Sequence, residues 1–123
     1  MIRPIVRLAG ALALLPLVAA STDPLEGRIA GKPQTCINPS SNVGPEIVDA
    51  HTILYRDGAR IYRTTIDHCP ALRPFATLIV ERFGTSLCRH DRFRLIEPPQ
   101  TIASGYCFFG DFVPYTKIPK TRS

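Results

Sequence analysis

The chain has 123 residues, 15 Lys+Arg against 10 Asp+Glu, four cysteines and 12 prolines. That length fits one domain, and the prolines leave little room for long helices. The formal charge of +5 is spread along the chain rather than gathered in a block, so a nucleic-acid surface, which clusters cations among aromatics, is not expected.

The first residues read as an export leader. Arg3 and Arg7 supply positive charge, Leu8 to Val18 is an apolar run broken only by Gly10 and Pro16, and Val18-Ala19-Ala20 offers the small residues that a signal peptidase needs. The run is 11 residues long, whereas a membrane-spanning helix takes roughly 20. We therefore expect a helical signal peptide over 1–20, removed on export, and no stable membrane anchor afterwards. The first cysteine is Cys36, so a lipid-anchored start at the cleavage site is disfavoured. Cleavage would take away Arg3 and Arg7, leaving 13 cations against 10 anions and a charge of +3.

Export also sets the redox state of the cysteines. In an oxidising compartment an even cysteine count reads as a disulfide framework. Cys36, Cys69, Cys88 and Cys107 allow three pairings. Joining Cys69 to Cys88 would stabilise by roughly 3 kcal/mol in the chain-entropy picture, and a Cys36–Cys107 bridge would clamp the two ends somewhat more strongly. The nested pattern is the expectation, although spacing alone does not fix connectivity.

Taken in chain order, 21–33 is poor in large apolar side chains and reads as a flexible lead-in. A disulfide-stapled β domain then spans 34–116, followed by a basic tail over 117–123. Cys36-Ile37 opens the domain, and Asn38-Pro39-Ser40-Ser41-Asn42 is a turn-rich loop whose proline rules out glycosylation at Asn38. Thr52–Tyr55 and Ala59–Thr64 flank Arg56-Asp57-Gly58, a strong hairpin signal. Ala76 to Phe83 centres on Leu78-Ile79-Val80 and resembles a strand buried on both faces. A short helix near Pro70–Ala76 is compatible with the pattern. Leu87 to Ile96 alternates, with Leu87, Phe93 and Leu95 on one face and His90, Arg92 and Arg94 on the other.

Asp91 falls on the apolar face of that strand, where an unpaired charge costs several kcal/mol. Either it is paired with an arginine or backbone donors, or the strand is interrupted at Arg89–Asp91. The interruption is the preferred reading. Gly105 to Val113 reads as the last strand, with Tyr106, Phe108 and Phe112 on one face and Cys107, Phe109 and Val113 on the other. The fold class is mainly β: a small curled antiparallel sheet or partly open barrel, stapled by two disulfides.

Chemistry-bearing patterns are sparse. A cysteine nucleophile needs a thiolate with a base in reach. His68 precedes Cys69 and His90 follows Cys88 by two, but a cysteine in a disulfide has no thiolate to offer. No serine stands in a Gly-x-Ser-x-Gly elbow. Neither Cys-x-x-Cys nor His-x-x-x-His occurs, so a metal site is not expected and no cofactor is implied. The compact pairs are Asp49-x-His51 and His90-Asp91. If they converged, Asp49, His51, His90 and Asp91 could serve a small hydrolase or a metal site as acid, base or ligands.

The series Cys36, Asp49-x-x-Thr52-Ile53-Leu54-Tyr55, Tyr62-Arg63, Cys69-Pro70-x-Leu72, Leu87-Cys88-x-x-Asp91 and Cys107 resembles a family of small exported proteobacterial proteins classed as a domain of unknown function. The similarity runs from about Cys36 to Pro114, and Cys-Pro-x-Leu is its most specific element. The family often carries two aspartates before the threonine strand; here the second position is Ala50, which weakens any cation site on that pair. The resemblance implies an exported, β-rich domain in a Gram-negative periplasm, and it brings no activity.

The expected function is thus that of a non-catalytic periplasmic or secreted domain. Its partner would be an unknown protein, an envelope component or a small ligand, and one variant is an inhibitor of a secreted hydrolase. Such a domain needs an exposed apolar patch or groove, expected around Tyr106, Phe108 and Phe109.

Overall fold

In the computed structural model, residues 23–39, 44–82 and 84–119 are described. The expected signal peptide (1–20), the middle of the loop after Pro39 (40–43) and the last residues of the basic tail (120–123) lie outside them. The described chain is all-β and antiparallel. Its strands are β1 (Arg28–Ala30), β2 (Cys36–Ile37), β3 (Glu46–Asp49), β4 (Thr52–Asp57), β5 (Arg60–Thr65), β6 (Thr77–Val80), β7 (Leu87–Cys88), β8 (Arg92–Ile96), β9 (Cys107–Phe108) and β10 (Phe112–Lys117). They form a five-stranded sheet in the order β1-β10-β5-β4-β3, a three-stranded sheet β6-β8-β9 and a two-stranded ribbon β2-β7. The sheets do not close into a barrel. No helix occurs among the described residues, so Pro70–Ala76 is a pair of turns.

The central hairpin follows from local chemistry. Asp57 pairs with Arg60 across a two-residue turn, and Gly58 supplies a φ of +58° at the first turn position, the type II′ pattern that matches strand twist. From there the register runs through Tyr55↔Tyr62 and Ile53↔Thr64, which puts Ile53, Tyr55, Tyr62 and Thr64 on the inner face. Phe93 and Leu95 of β8 face them, and Phe109 and Phe112 fill the space between the sheets. The rings of Phe93 and Phe109 lie 4.6 Å apart, and Tyr55 meets Phe109 and Phe112 edge-on. Removing one such ring costs about 3–5 kcal/mol.

Several expectations need correction. Leu78-Ile79-Val80 is not buried on both faces: β6 is an edge strand, Leu78 and Val80 turn inward, and Ile79 is 39% exposed. The expected strand over Gly105–Val113 is two strands. Phe108 and Phe112 do not share a face, since Phe108 is half-exposed while Phe109 and Phe112 are both buried. The cause is a break at Phe109–Asp111, where the chain passes from the three-stranded to the five-stranded sheet and the two-residue period resets. Gly110 makes the crossing possible: a Cβ there would sit 2.5 Å from Thr65 O. Its N–H donates to Thr64 Oγ1 (3.1 Å), and Thr64 Oγ1–H donates to Gly110 O (3.2 Å). That pairing accounts for Thr64, a fully buried polar side chain.

The sheet also begins earlier and ends later than expected. Arg28–Ala30, within the segment read as a lead-in, pairs with Lys117–Tyr115. Arg28 fixes it by donating from Nη1 to the carbonyls of Ala59 and Tyr115. The interruption expected at Arg89–Asp91 is present. The chain turns there with His90 at φ +73°, and Asp91 Oδ2 accepts the Cys88 N–H at 2.7 Å. The buried-charge problem is thus met by a turn and a backbone donor together.

The disulfides are Cys36–Cys88 and Cys69–Cys107, a crossed pattern that replaces the nested one. Topology dictates it. Cys36 and Cys88 are direct partners in the β2–β7 ribbon. Cys69 follows β5 on the five-stranded sheet, and Cys107 lies on β9 of the three-stranded sheet. One bridge therefore ties the ribbon and the other ties the two large sheets together.

Candidate functional site

The four cysteines frame one surface feature. Residues flanking three of them line an open groove of about 760 Å³ (Asp67 and His68 before Cys69, Arg89 and His90 after Cys88, and Tyr106, Phe108 and Phe109 around Cys107), and Pro33, three positions before Cys36, joins them. Thr65, Gly110, Asp111 and Val113 complete it. The size is within the range of ligand pockets.

Backbone hydrogen bonds lock these segments to each other. Gln34 and Phe112 exchange N–H···O bonds of 2.7 and 2.8 Å, and Arg89 N–H donates to Thr35 O at 2.7 Å. His90 N–H donates to Phe109 O, and Phe109 N–H donates to Asp91 O, each at 3.0 Å. Arg89 and Asp111 form an ion pair of 3.4 Å across the rim. Both partners are well exposed, so the pair orients side chains more than it stabilises the fold.

Two features mark the groove as more than a seam between sheets. His68 (φ +51°) and His90 (φ +73°) are, among the described residues, the non-glycine positions with positive φ, and both line it. A side chain in that region costs energy and persists only where its surroundings impose it. The second feature is aromatic. Phe108 is 53% and Tyr106 41% exposed on the outer face of β9. Tyr106 is held by the guanidinium groups of Arg94 and Arg92, 4.2 and 4.7 Å from its ring centroid. Arg94 Nη2 also donates to Tyr106 Oη, and Glu81 pairs with both arginines. The apolar patch expected around Tyr106, Phe108 and Phe109 is therefore present as a groove, with Phe109 as its buried base.

Asp49, His51, His90 and Asp91 do not gather. Asp49 Oδ1 accepts the His51 N–H at 2.8 Å within the β3–β4 turn, and His51 Nδ1 lies 3.2 Å from Ile66 O. Asp49 borders a different depression, on the outer face of the five-stranded sheet with Leu25, Val48 and Arg63. Asp91 is spent on the Cys88 backbone, and only His90 faces the groove, its Nε2 accepting from Arg89 Nε at 3.1 Å. Among the described residues no three His, Cys, Asp or Glu side chains are placed to hold a metal ion, and no described cysteine is free. Nor, among them, does any helix reach the length and apolarity needed to cross a membrane.

In the sequence His68 stands out only as a neighbour of Cys69, Arg89 only as the start of the Arg89–Asp91 break, and Asp67 and Asp111 only as aspartates flanking turns, while Thr65 carries no signal. A usable signal was the position of these residues: most stand within two or three residues of a cysteine, so whatever the disulfides gather, they gather as well. No family model, curated protein or solved structure matches the chain.

Proposed function

We propose that the chain is an exported binding protein of the periplasm or extracellular space, cleaved after a signal peptide and non-catalytic, with the cysteine-framed groove as its ligand face. The observation that supports this reading is the convergence on one groove of residues flanking Cys69, Cys88 and Cys107, with Pro33 three positions before Cys36. Cross-links placed at the walls of a groove reduce the ordering that a ligand would otherwise have to impose, which is how small rigid domains gain affinity. The half-exposed rings of Phe108 and Tyr106 offer aromatic contact area, apolar at Phe108 and amphipathic at Tyr106, of the kind enriched at interfaces. The resemblance to the four-cysteine exported family agrees with this reading and supplies the compartment in which both disulfides persist.

The test places a photoreactive phenylalanine analogue at position 108 and, as a control, at Phe75, which is 90% exposed and outside the groove. Each variant is exported in its native host and irradiated in the cell. A discrete adduct at position 108 that is absent at position 75 is the expected result. The absence of any adduct specific to position 108, or its full retention in an Arg89→Ala/Phe109→Ala variant that still folds, overturns the assignment.

A further inference from the structure

Among the described residues the two larger sheets each end on an unpaired edge, and both edges border one cleft. β3 closes the five-stranded order and β6 the three-stranded one, and residues of both strands line a cavity of about 530 Å³ that includes Ile47 and Leu78. The ladder pattern shows which backbone groups face it. Glu81 N–H donates to Arg92 O just past the last β6–β8 pair. Hydrogen-bonded pairs alternate in antiparallel strands, so Ile79 and Thr77 also bond to β8, and the N–H and C=O groups of Leu78 and Val80 point away from it. On the other side, Ile66 N–H donates to His51 O, which sets Ile53 and Tyr55 bonding to β5 and Leu54 to Glu46. The N–H and C=O of Ile47 therefore point outward. Among the described residues no backbone hydrogen bond outside the strand ladders reaches any of these three residues.

We infer that this cleft is a strand-addition site that takes an extended segment of a partner polypeptide, pairing along β6 and against β3. Open backbone donors and acceptors at strand spacing are matched by another extended backbone, and the inward side chains of Ile47, Leu78 and Val80 ask for an apolar residue at every second position of the guest. Pro45 and Pro74 stand at the mouths of the two strands. Proline cannot extend a ladder as a donor, so the guest is limited to the length of β6, four residues. A second copy is a poorer occupant. Two four-residue edges bury far less than the roughly 1,600 Å² of a standard stable interface, whereas an extended guest segment lying in the cleft meets residues of both β3 and β6. This site is independent of the cysteine-framed groove, which is built where β9 passes to β10.

The experiment measures amide hydrogen exchange at Leu78, Val80 and Ile47 in the purified, oxidised protein. The probe is the synthetic peptide Lys-Val-Thr-Val-Thr-Val-Lys, and the control is the same peptide N-methylated at alternate residues so that it cannot donate along one edge. The inference expects rapid exchange at the three amides in the free protein and at least tenfold slowing with millimolar peptide. It expects no slowing with the N-methylated control, and loss of the effect in Leu78→Pro, whose substitution leaves the β6–β8 bonds in place. Val80→Pro serves equally if Leu78→Pro does not fold. Slow exchange in the free protein independent of its concentration means that the chain covers its own edge, and slowing that grows with protein concentration means a second copy. Either result overturns the inference, as does no response to the unmodified peptide or an equal response to the two peptides.

Discussion

His68 and His90, one preceding Cys69 and the other following Cys88 by two, face the same groove from different walls, and both adopt positive φ. An L-residue in the left-handed region costs about 1–2 kcal/mol, and glycine is free of that cost while losing about 0.5–1 kcal/mol through its more flexible unfolded chain. His90→Gly is therefore expected to hold or raise stability by up to about 1 kcal/mol in urea denaturation. His90→Val, β-branched at the same φ, is expected to lose about 1–3 kcal/mol. If the backbone is strained for the sake of the groove, His90→Gly also weakens the position-108 adduct while stability does not fall. A variant that loses stability and keeps its adduct would show the turn to be structural only.

The crossed disulfides make a direct prediction. Proteolysis without reduction should yield one peptide pair carrying Cys36 with Cys88 and another carrying Cys69 with Cys107, and no Cys69–Cys88 product. The bridged residues are 52 and 38 positions apart, and loops of that size correspond to about 4 kcal/mol each in the chain-entropy picture. The double variant Cys69→Ala/Cys107→Ala is expected to lose stability on that scale, because this bridge joins the two large sheets. Mass spectrometry of the digest and a urea midpoint check the two statements separately.

How far the sequence was legible depends on the range of the interactions involved. The hairpin around Asp57-Gly58 was readable because turn type and register are set by adjacent residues. Asp91 was readable as a break in its strand because a buried charge cannot be left unpaired. Disulfide pairing was not readable: Cys36 meets Cys88 only because β2 and β7 form a ribbon, and nothing near either cysteine encodes that. The split of the last strand was missed because Gly110 acts through Thr64 and Thr65, 46 and 45 positions away, and no local pattern marks the contact. The groove was legible only at its aromatic wall, Tyr106, Phe108 and Phe109, because its other walls come from three separate segments of the chain.

The Gly110 crossing is open to a sharp test. A methyl group there meets the Thr65 carbonyl at 2.5 Å, and that oxygen belongs to backbone that cannot swing aside. Gly110→Ala should cost about 1–3 kcal/mol, the scale of overpacking. Thr64→Val removes the hydroxyl that serves Gly110 N–H and C=O and is expected to cost about 1–3 kcal/mol through the groups left unpaired. Because both changes act on one contact, the double variant should cost clearly less than the sum of the single ones. Additivity in denaturant melts would show that the two positions are not coupled.

Tyr55 gives the fold a limit in alkali. Burial among Phe109, Phe112 and the inner face of the hairpin raises its hydroxyl pKa well above the ordinary 10.0, an effect that the nearby Arg82 charge only partly opposes. The native state therefore keeps this proton in a range where the unfolded chain has released it. The stabilisation is complete below the unfolded value and is lost as pH rises from about 10 towards the folded value. At most this amounts to about 1.4 kcal/mol per pH unit. Tyr55→Phe removes the ionisable group and keeps the ring, so its stability should fall less steeply than that of the wild type above pH 10, while the two curves run parallel from neutral pH up to about 9. Brief urea titrations at matched pH, completed before disulfides suffer in base, compare the slopes. Equal slopes above pH 10 would mean that the Tyr55 hydroxyl is not buried in the native protein.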